Sequence, residues 1–499
     1  MAHVVVIGAG MGGMACAARL AAKGHTVHIY EQSDTWGGKL GEQIWGDHRF
    51  DTGPSLLTLP AVYRDLFLKT GRPLEESVEL VELDTAFRYQ FSDGTVLTMP
   101  GVGVGACATA IGDVLGGTSA DEWRAFLARA ARMWAVTRTP FLERPLHGLR
   151  SLLGMSWRLS DVKTIAPTKT LRSLAQHYFS DPRLVTLVDR YATYSGSDPR
   201  QAPAALATIP YIEETFGAHH VRGGLRELGR ALFERCLALG ITFHFDTAVE
   251  RIITDSAIKS ITTQSGEEIE CDIVVANLDA HVLYHRLLND SLPAVKRAQH
   301  AMTKVTPSLS GFVLTLALDG KTDDLEHHNV LFPENYEDEF DSIFGVGKPA
   351  MPIRDPAIYI CNPRDDKMAP AGKESWFVLV NAPRHQHLAD SKTVDWSSDV
   401  VSAYTENVRS RLAQRGFDVT NRILWSDVIS PADLALRTNS PGGSIYGTSS
   451  NGMRAAFLRP ANVSDIKGLY LVGGSSHPGG GLPLVAMSAE IVANHIGRA

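Results

Sequence analysis

Positive charge is not in excess in this sequence. Its 499 residues include 48 lysines and arginines against 55 aspartates and glutamates, which gives a formal net charge of −7. A dedicated nucleic-acid-binding protein would be expected to be basic, so we expect no nucleic-acid partner. The sequence also contains no run of 18 or more apolar residues. This excludes a multi-span membrane protein but leaves a peripheral one open.

Cysteine is scarce and scattered. No pair forms a C-x-x-C motif, which argues against a disulfide scaffold and against a cysteine-based zinc site; the five cysteines are Cys16, Cys107, Cys236, Cys271 and Cys361. A reducing compartment fits this pattern, and the sequence predicts no metal site. The N-terminus has neither the basic start nor the long apolar stretch of a signal peptide, so we expect a cytoplasmic location.

The overall composition is that of a folded protein. Hydrophobic residues make up 44% and charged residues 21%, close to the averages for soluble domains, which excludes a disordered or low-complexity chain. A chain of 499 residues is too long for one ordinary core. The length therefore predicts two or three domains.

The first residues predict a nucleotide-binding βαβ unit. The β-branched run His3–Ile7 is typical of a buried parallel strand and leads into a G-x-G-x-x-G motif. Gly8 allows the tight turn, Gly10 lets the backbone approach a pyrophosphate, and Gly13 lets the helix pack closely on the strand.

A helix and a second strand complete this unit. Met14–Lys23 is an alanine-rich helix whose N-terminal dipole would face the pyrophosphate. The strand Thr26–Tyr30 ends in Glu31, 23 residues after Gly8, where an acid should accept hydrogen bonds from an adenosine ribose. A βαβ unit without a ligand is the structural alternative, and the unit alone does not separate NAD from FAD.

Two further glycine turns follow in the sequence. They are Trp36-Gly37-Gly38-Lys39 and Phe50-Asp51-Thr52-Gly53-Pro54-Ser55. Together they resemble the second signature of the glutathione-reductase-type FAD fold, in which the first turn runs along the diphosphate and the second lies near the flavin. Lys39 stands where many relatives carry arginine, so the charge is kept but the planar fork is lost. Alone, the second turn would be read as a plain Gly-Pro turn.

A glycine loop near the C-terminus mirrors the one at the N-terminus. The predicted strand Gly468–Gly474 leads into Ser475–Pro483 and then into a helix that ends at His495. A glycine loop that opens a helix presents free N–H groups and a positive dipole end. Such an end would stabilise the negative charge of a reduced flavin, although a helix that only packs on the sheet is the alternative.

A middle block makes the resemblance specific. Tyr191–Leu232 contains Tyr194-Ser195-Gly196-Ser197-Asp198-Pro199 and Arg222-Gly223-Gly224. With both glycine-rich ends, this block resembles the bacterial-type phytoene desaturases, the family of FAD-dependent carotenoid desaturases and isomerases. The resemblance implies an α/β protein with a glutathione-reductase-type FAD-binding Rossmann domain, a β-rich substrate domain and a helical, membrane-facing subdomain.

The resemblance also predicts how the chain is divided. We expect the FAD-binding domain to consist of 1–85, 226–300 and 436–499. The substrate domain would consist of 86–225, which includes the helical subdomain, and of 301–435. The implied reaction is carotenoid desaturation by hydride transfer to the flavin, on phytoene or a related carotenoid. Similar sequences desaturate hydroxylated carotenoids at the 3,4 position or oxidise terminal methyl groups.

The motifs and the resemblance together predict the residues that bind FAD. They are Gly8, Gly10, Gly12, Gly13, Glu31, Gly37, Gly38, Lys39, Gly53, Pro54, Ser55, Val249, Gly473, Gly474, His477, Gly480, Leu482 and Pro483. No triad, H-E-x-x-H or paired-acid motif is present, and a strong base is not required once an allylic cation has formed. His477 would lie nearest the flavin or would only stabilise its loop. Asp198 and Arg190 could assist at the cation, although a surface ion pair is the alternative for both.

The stretch from Arg138 to Arg172 is basic, unlike the rest of the chain. It holds seven basic residues and two acids, and a helix opened by Pro145 would place leucines and Trp157 on one face. We expect peripheral contact with the inner face of the cell membrane through 138–172, where an apolar carotenoid would be drawn in. An ordinary core-packed helix is the alternative. The electron acceptor stays open between a quinone and oxygen.

Other functions remain open at this point. An amine-oxidase-like flavoprotein would need an aromatic cage and a polar pocket for the amine, and the middle block argues against it. The sequence also leaves open a protein that keeps FAD only for structure and an NAD-dependent dehydrogenase.

Overall fold

The computed structural model describes residues 1–145, 159–386, 391–452, 455 and 459–499. The described strands are β1 (His3–Ile7), β2 (Thr26–Tyr30), β3 (Glu42–Trp45), β4 (His48–Asp51), β5 (Leu80–Glu82), β6 (Thr85–Gln90), β7 (Val96–Pro100), β8 (His219–Val221), β9 (Thr242–His244), β10 (Val249–Thr254), β11 (Ile258–Thr263), β12 (Glu268–Glu270), β13 (Ile273–Ala276), β14 (Ser310–Asp319), β15 (His328–Leu331), β16 (Ile358–Cys361), β17 (Lys373–Ala382), β18 (Ile423–Ile429) and β19 (Leu469–Leu471).

The described α-helices are interspersed among these strands along the chain. They are α1 (Met11–Ala22), α2 (Ala61–Thr70), α3 (Val104–Leu115), α4 (Ser119–Thr137), α5 (Leu159–Ile165), α6 (Leu171–Tyr178), α7 (Pro182–Thr193), α8 (Thr208–Phe216), α9 (Arg226–Ala238), α10 (Ala280–Val282), α11 (Pro293–Met302), α12 (Glu337–Phe344), α13 (Ser398–Gln414), α14 (Pro431–Thr438) and α15 (Leu482–Ile496).

A parallel five-stranded sheet gathers distant parts of the chain. Its order is β19-β13-β1-β2-β9, and Val4 of the central strand lies between Val27 and Ile273. One face of this sheet packs against α1, α9 and α15, and the other packs against the three-stranded sheet β10-β11-β12. Burial on both faces explains why β1 and β13 are continuous β-branched runs. The predicted βαβ unit is present, but α1 begins at Met11 rather than Met14, inside the glycine motif.

A second sheet of seven strands lies beside the first. Its order is β18-β14-β17-β16-β15-β6-β7, and all neighbouring pairs are antiparallel except β15 with β6. The strands β14 and β17 pair over ten residues, from Ser310 with Ala382 to Asp319 with Lys373. The apolar side chains of β14 pack under α13, which supplies much of this core. The predicted hairpin of residues 86–99 is confirmed as β6 and β7.

Helices cover the β6–β7 end of this sheet. α3, α4, α6 and α7 bury Trp123, Phe126 and Leu187 completely against Phe87 and Leu97 of the hairpin. The predicted helical character of residues 120–190 is confirmed by the described helices α4, α5, α6 and α7, of which the last three are separated by short non-helical segments.

The basic stretch is only partly described. The core of its predicted amphipathic helix, residues 146–158, lies outside the described residues. At its edges Arg138 pairs with Glu143 at 2.6 Å, and Arg172 pairs with both Asp189 and Glu337. Within the described ranges, no helix combines the length and apolar character that crossing a membrane would require.

Candidate functional site

Two glycine loops meet at the carboxyl end of the parallel sheet. One joins β1 to α1 and the other joins β19 to α15. A Cβ built on Gly12 would lie 3.0 Å from the Cα of Gly473, so the two backbones are in close contact. The carboxyl edge of an open parallel sheet is where such folds bind ligands. The N-terminal and C-terminal glycine motifs thus belong to one site.

Asn277 lies between these loops and was not among the predicted residues. It follows β13, and its Nδ2 donates a hydrogen bond to the Gly8 carbonyl at 3.2 Å. A Cβ on Gly10 would lie 2.8 Å from Nδ2, and a Cβ on Gly473 would lie 2.6 Å from Oδ1. The sequence feature that could have indicated this residue is its position directly after a buried strand.

The first glycine motif is close-packed as its spacing predicts. A Cβ on Gly13 would lie 2.2 Å from the carbonyl oxygen of Gly8, so only glycine fits there. Glu31 closes the same edge at the end of β2. Its Oε2 accepts a hydrogen bond from the Ala9 N–H at 2.7 Å, and its Oε1 accepts two from Ser33. The carboxylate is therefore fixed next to the glycine loop.

The turn at Gly37 is organised by an arginine that no sequence motif indicated. Gly37 has φ +110° and forms a parallel bridge with Gly10. The guanidinium of Arg226 lies 3.6 Å from the centre of the Trp36 ring and donates to the carbonyls of Trp36 at 2.8 Å and Leu40 at 2.6 Å. A Cβ on Gly37 would lie 2.0 Å from that guanidinium. Arg226 of α9 therefore fixes the shape of this turn through planar contacts that a lysine could not make.

Lys39 extends from this turn toward a distant loop. Its Nζ donates to the carbonyl oxygens of Ser444 at 2.9 Å and Ile445 at 2.7 Å, while Lys39 and Gly38 both remain exposed. Lys39 therefore ties the glycine turn to the loop before β19 and leaves the surface of the turn open.

The second turn connects the site to α9. Asp51 accepts hydrogen bonds from the N–H groups of Leu225 at 2.7 Å and Arg226 at 2.9 Å, at the start of that helix. Burial raises the pKa of Asp51 to about 6, and the two backbone donors oppose the rise. A Cβ on Gly53 would lie 1.9 Å from the Lys39 carbonyl oxygen, so the two turns are stacked.

Pro54 and Ser55 continue from that turn into the seven-stranded sheet. The Oγ of Ser55 lies 2.7 Å from the Oη of Tyr359, which in turn lies 2.7 Å from Nδ1 of His328. The chain of hydrogen bonds connects the predicted cofactor loop to β15 and β16.

The C-terminal loop opens α15 as predicted. Pro483 lies in the first turn of the helix. A Cβ on Gly480 would lie 2.3 Å from the Tyr446 ring, whereas one on Gly481 would meet no atom within 4 Å. The loop is therefore packed on one side and open at the helix N-terminus. Arg459 holds the loop in place because its Nη1 donates to the Gly474 carbonyl at 2.9 Å.

His477 is enclosed by protein groups. Its side chain is buried, Nε2 lies 3.1 Å from the Arg144 carbonyl oxygen, and its main-chain N–H donates to Pro460 at 2.9 Å. Burial lowers the pKa of His477 to about 4, against the opposing effect of the Arg144 and Phe141 carbonyls. The ring is neutral near pH 7, and this geometry favours the loop-stabilising role.

The surface location in the ion-pair alternative for Asp198 and Arg190 is wrong. Both residues are buried, because each finds partners inside the protein. Asp198 pairs with Arg200 at 2.9 Å. The guanidinium of Arg190 lies 4.3 Å from the centre of the Phe87 ring and 5.0 Å from that of Tyr194. Arg190 therefore belongs to an aromatic cluster and not to the surface.

Two buried acids lie close to that cluster and were also missed. Glu213 accepts hydrogen bonds from Tyr191 at 2.8 Å and Tyr194 at 3.2 Å. Burial raises its pKa, and the charge of Arg190 opposes the rise. Glu214 accepts from Trp123 at 3.0 Å, and burial raises its pKa well above the ordinary value.

Val249 begins β10 on the far side of the sheet. It is half-buried against the apolar cluster beneath the parallel strands. The N–H of Thr247 donates to the Glu31 carbonyl at 2.8 Å, so this strand begins close to the acid at the end of β2.

The donor set fits a flavin dinucleotide. An acid lies at the end of the second strand, two helices begin at glycine loops that touch, and the glycine positions lack the Cβ atoms that would fill the space. Helix N-termini provide N–H groups without partners inside the helix, and these bind phosphates and anionic rings.

A comparison with protein families gives a match over nearly the whole chain. The sequence profile described as flavin-containing amine oxidoreductase matches residues 11–497.

Relatives of similar length carry carotenoid names. A 1-hydroxycarotenoid 3,4-desaturase of Flavobacterium sp. (strain P99-3) is 33% identical over 505 residues, which cover 99% of both chains. A 4,4'-diapolycopene oxygenase of Methylomonas sp is 30% identical over 504 residues, 99% of this chain and 98% of that protein. A zeta-carotene-forming phytoene desaturase of Myxococcus xanthus is also 30% identical, over 99% of this chain and 93% of that one.

Solved structures of amine oxidases share the fold. A wild-type putrescine oxidase bound to putrescine superposes with a TM-score of 0.65 and 13% identity, over 99% of both chains. Cyclohexylamine oxidase from Brevibacterium oxydans IH-35A gives a TM-score of 0.63, also at 13% identity and over 99% of both chains.

Proposed function

The chain belongs to the flavin-containing amine oxidoreductase family as an FAD-dependent oxidoreductase of the carotenoid desaturase type, and we propose that it desaturates a linear carotenoid, phytoene or a related polyene. One observation carries the proposal: relatives with different carotenoid names each align with 99% of this chain. The contact between the two glycine loops supports it, because a dinucleotide site there would join both ends of the chain.

Named residues would hold the cofactor. Glu31 would accept hydrogen bonds from the ribose hydroxyls with the lone pairs that Ala9 and Ser33 leave free. The N-terminus of α1 would face the diphosphate, and the open N-terminus at Gly481 would direct its positive dipole end to the flavin ring. FAD supplies the hydride acceptor when it is bound.

The chain contributes positioning more than proton chemistry. Bound FAD would supply the acceptor for one of the two hydrogens, as a hydride. The allylic cation left on the substrate would lose the other hydrogen from the adjacent carbon as a proton to solvent, so the chain would need no strong base. The buried state of His477, Asp198 and Arg190 fits this division, because each already has partners inside the protein.

A hydroxylated carotenoid is the second candidate substrate. The relative that is 33% identical is named as a 1-hydroxycarotenoid 3,4-desaturase. The oxygenase that is 30% identical suggests a third candidate reaction, oxidation of a terminal methyl group. An amine substrate is less supported. The amine oxidases match at 13% identity, which shows a shared fold. The rings of Tyr191 and Tyr194 lie against the Arg190 side chain, so they do not form an open aromatic cage for an amine.

We also propose that the protein works at a lipid surface. The substrate would be drawn from the inner face of the cell membrane through the basic stretch 138–172, and the reduced flavin would pass its electrons to a quinone or to oxygen. The basic residues of that stretch other than Arg138 and Arg172, which pair with acids of the protein, support this, because polybasic segments bind anionic lipid.

Pigment analysis tests the proposed reaction. The chain would be expressed in hosts that accumulate phytoene, lycopene or a hydroxylated carotenoid, and the extracts compared by chromatography with absorption spectra. New absorbance at longer wavelength identifies desaturation and the host identifies the substrate. Two variants provide the matched pair. Gly473→Ala should lose the cofactor, and Gly105→Ala changes a residue of the outer helix α3. Unchanged pigment in all three hosts, with flavin-loaded protein present, would contradict the proposal.

Flavin bleaching separates the desaturase from an amine oxidase. Purified protein would be mixed without oxygen with a carotenoid in liposomes, or with putrescine in solution. Bleaching by the carotenoid alone supports the desaturase. Bleaching by the amine alone would favour the amine oxidase.

A further inference from the structure

Three potential metal ligands from different parts of the chain lie together in the seven-stranded sheet. His327, His328 and Cys361 each offer one ligand atom, and these atoms all lie within 4.8 Å of one another. All three residues are buried, and the side chain of His328 is fully enclosed. Buried clusters of imidazole and thiol differ from exposed acidic groups because water does not solvate their lone pairs.

Strand register accounts for the cluster. β15 and β16 are antiparallel, and His328 is the direct partner of Cys361. Directly opposed residues lie on the same face of a sheet, with Cβ atoms about 4.5–5.5 Å apart. His327 precedes the strand, and its ring lies 4.4 Å from that of His328 and 4.7 Å from that of His220.

One nitrogen of this cluster has no partner among the described residues. Nδ1 of His328 lies 2.7 Å from the Tyr359 hydroxyl, whereas its Nε2 is buried and makes no hydrogen bond within the part of the chain that the structure describes. A buried polar atom without a partner is costly and calls for an unplaced ligand, such as a water or an ion.

We propose that His327, His328 and Cys361 form a buried binding site for a borderline-soft transition-metal ion, Zn²⁺ in the first instance. Two imidazoles and a thiolate are ligands that such ions prefer. Binding releases the thiol proton of Cys361 to solvent and involves no redox change. Metal–nitrogen bonds of about 2.0–2.1 Å and metal–sulfur bonds of about 2.3 Å would draw the three side chains together.

The ion would tie the sheet to the predicted cofactor loop. It would join β15 to β16, and the Nδ1 of His328 would remain on Tyr359, whose hydroxyl contacts Ser55. A hydrogen bond to the second nitrogen of a metal-binding histidine commonly fixes its tautomer and orientation. The inference stands apart from the proposed desaturase function, because a structural ion is compatible with any flavoenzyme reaction.

Metal content and cobalt spectroscopy test the site. The flavin-loaded chain would be incubated with Zn²⁺ or Co²⁺, dialysed, and analysed by mass spectrometry for metal. We expect about one ion per chain. We also expect ligand-field absorption of the Co²⁺ form at wavelengths longer than those of oxidised flavin. Cys361→Ser and His328→Gln should each reduce retained metal at least about tenfold. Cys271→Ser changes a buried cysteine elsewhere and should retain it.

Two results would overturn the proposal. One is retention of less than about a tenth of an ion per chain by the unmodified protein. The other is equal retention by the unmodified chain and by both ligand variants. Thermal melting gives a second readout: a chelator should lower the melting temperature of the unmodified protein and of Cys271→Ser, and should not change that of His328→Gln. If Cys361→Ser does not fold, His328→Gln and the unmodified chain still decide the question.

Discussion

The Oδ1 atom of Asn277 leaves no room for a side chain at position 473, because a Cβ built on Gly473 would lie 2.6 Å from it. Asn277 also donates to the Gly8 carbonyl, so one side chain spaces both glycine loops. The distance between the loops is therefore set by an amide at the end of β13, and the site depends on three strands that are far apart in sequence.

Gly473→Ala should disrupt this arrangement. Gly473 has φ +100°, which an alanine adopts only with strain, and the added methyl would collide with Asn277. We expect the free energy of unfolding to fall by about 2 kcal/mol or more and the bound flavin to be lost. Denaturant titration and the flavin absorbance of the purified protein measure both effects.

Gly105→Ala is the matched control for that substitution. Gly105 lies in α3, and a Cβ there would meet no atom within 4 Å. Alanine favours a helix, so its stability should be unchanged or higher by about 0.5–1 kcal/mol. If Gly473→Ala purified with full flavin and normal stability, the proposed loop contact would not matter for cofactor binding.

Arg226→Lys tests the arginine that holds the turn at Gly37. A lysine cannot stack on Trp36 and donate to two carbonyls in one plane. We expect a loss of about 1–3 kcal/mol in stability and a lower flavin content, measured by unfolding and by the flavin-to-protein absorbance ratio.

Arg230→Lys provides the comparison one helical turn later. Arg230 pairs with Glu227 and Glu234 on the exposed face of α9, so its replacement should change stability by less than about 0.5 kcal/mol. Equal losses of stability and flavin content in the two variants would show that the contact of Arg226 with Trp36 does not stabilise the turn.

Local sequence was enough to predict the turn at the first glycine motif, the position of Glu31 at the end of β2 and the opening of α15. Each of these depends on neighbours within a few residues, so spacing and turn chemistry identify it. Arg226 and Asn277 could not be found in this way, because their partners lie 190 and 269 residues away in the chain. Their roles arise only when α9 and β13 pack beside the glycine loops.

Charge was a misleading signal for a similar reason. The sequence leaves Arg190 and Asp198 open between assistance at the cation and a surface ion pair, and an isolated charge is costly to bury. The fold surrounds Arg190 with aromatic rings and pairs Asp198 with Arg200, which offsets that cost. Likewise, His328 and Cys361 are 33 residues apart, and only the register of β15 and β16 brings them together.

Asp51→Asn should change how stability depends on pH. The pKa of Asp51 is about 6 in the folded protein and about 3.9 when unfolded, so the folded state holds the proton more tightly. Its contribution to stability is full below about pH 4 and is lost as the pH rises through 6. Unfolding titrations from pH 4 to pH 7 should show that the asparagine variant lacks this decline. A constant stability difference between the two proteins across that range would contradict the shifted pKa.

His477→Gln should produce the opposite change in the same pH range. The pKa of His477 is about 4 when folded against an ordinary value of about 6.5, so the unfolded chain binds the proton more tightly. Its contribution is full above about pH 6.5 and is lost as the pH falls through 4. Glutamine keeps a donor for the Arg144 carbonyl and cannot titrate, so the variant should keep its flavin and resist mild acid better than the parent.

The activity of this variant decides between the two roles considered for His477. If the histidine only stabilises its loop, His477→Gln should keep the parent's rate of flavin bleaching by a carotenoid and the same pH–rate profile between pH 5 and 8. A loss of about 100-fold or more in that rate, with flavin content and stability retained, would instead assign His477 a direct part in the reaction, since positioned acid–base groups contribute that much.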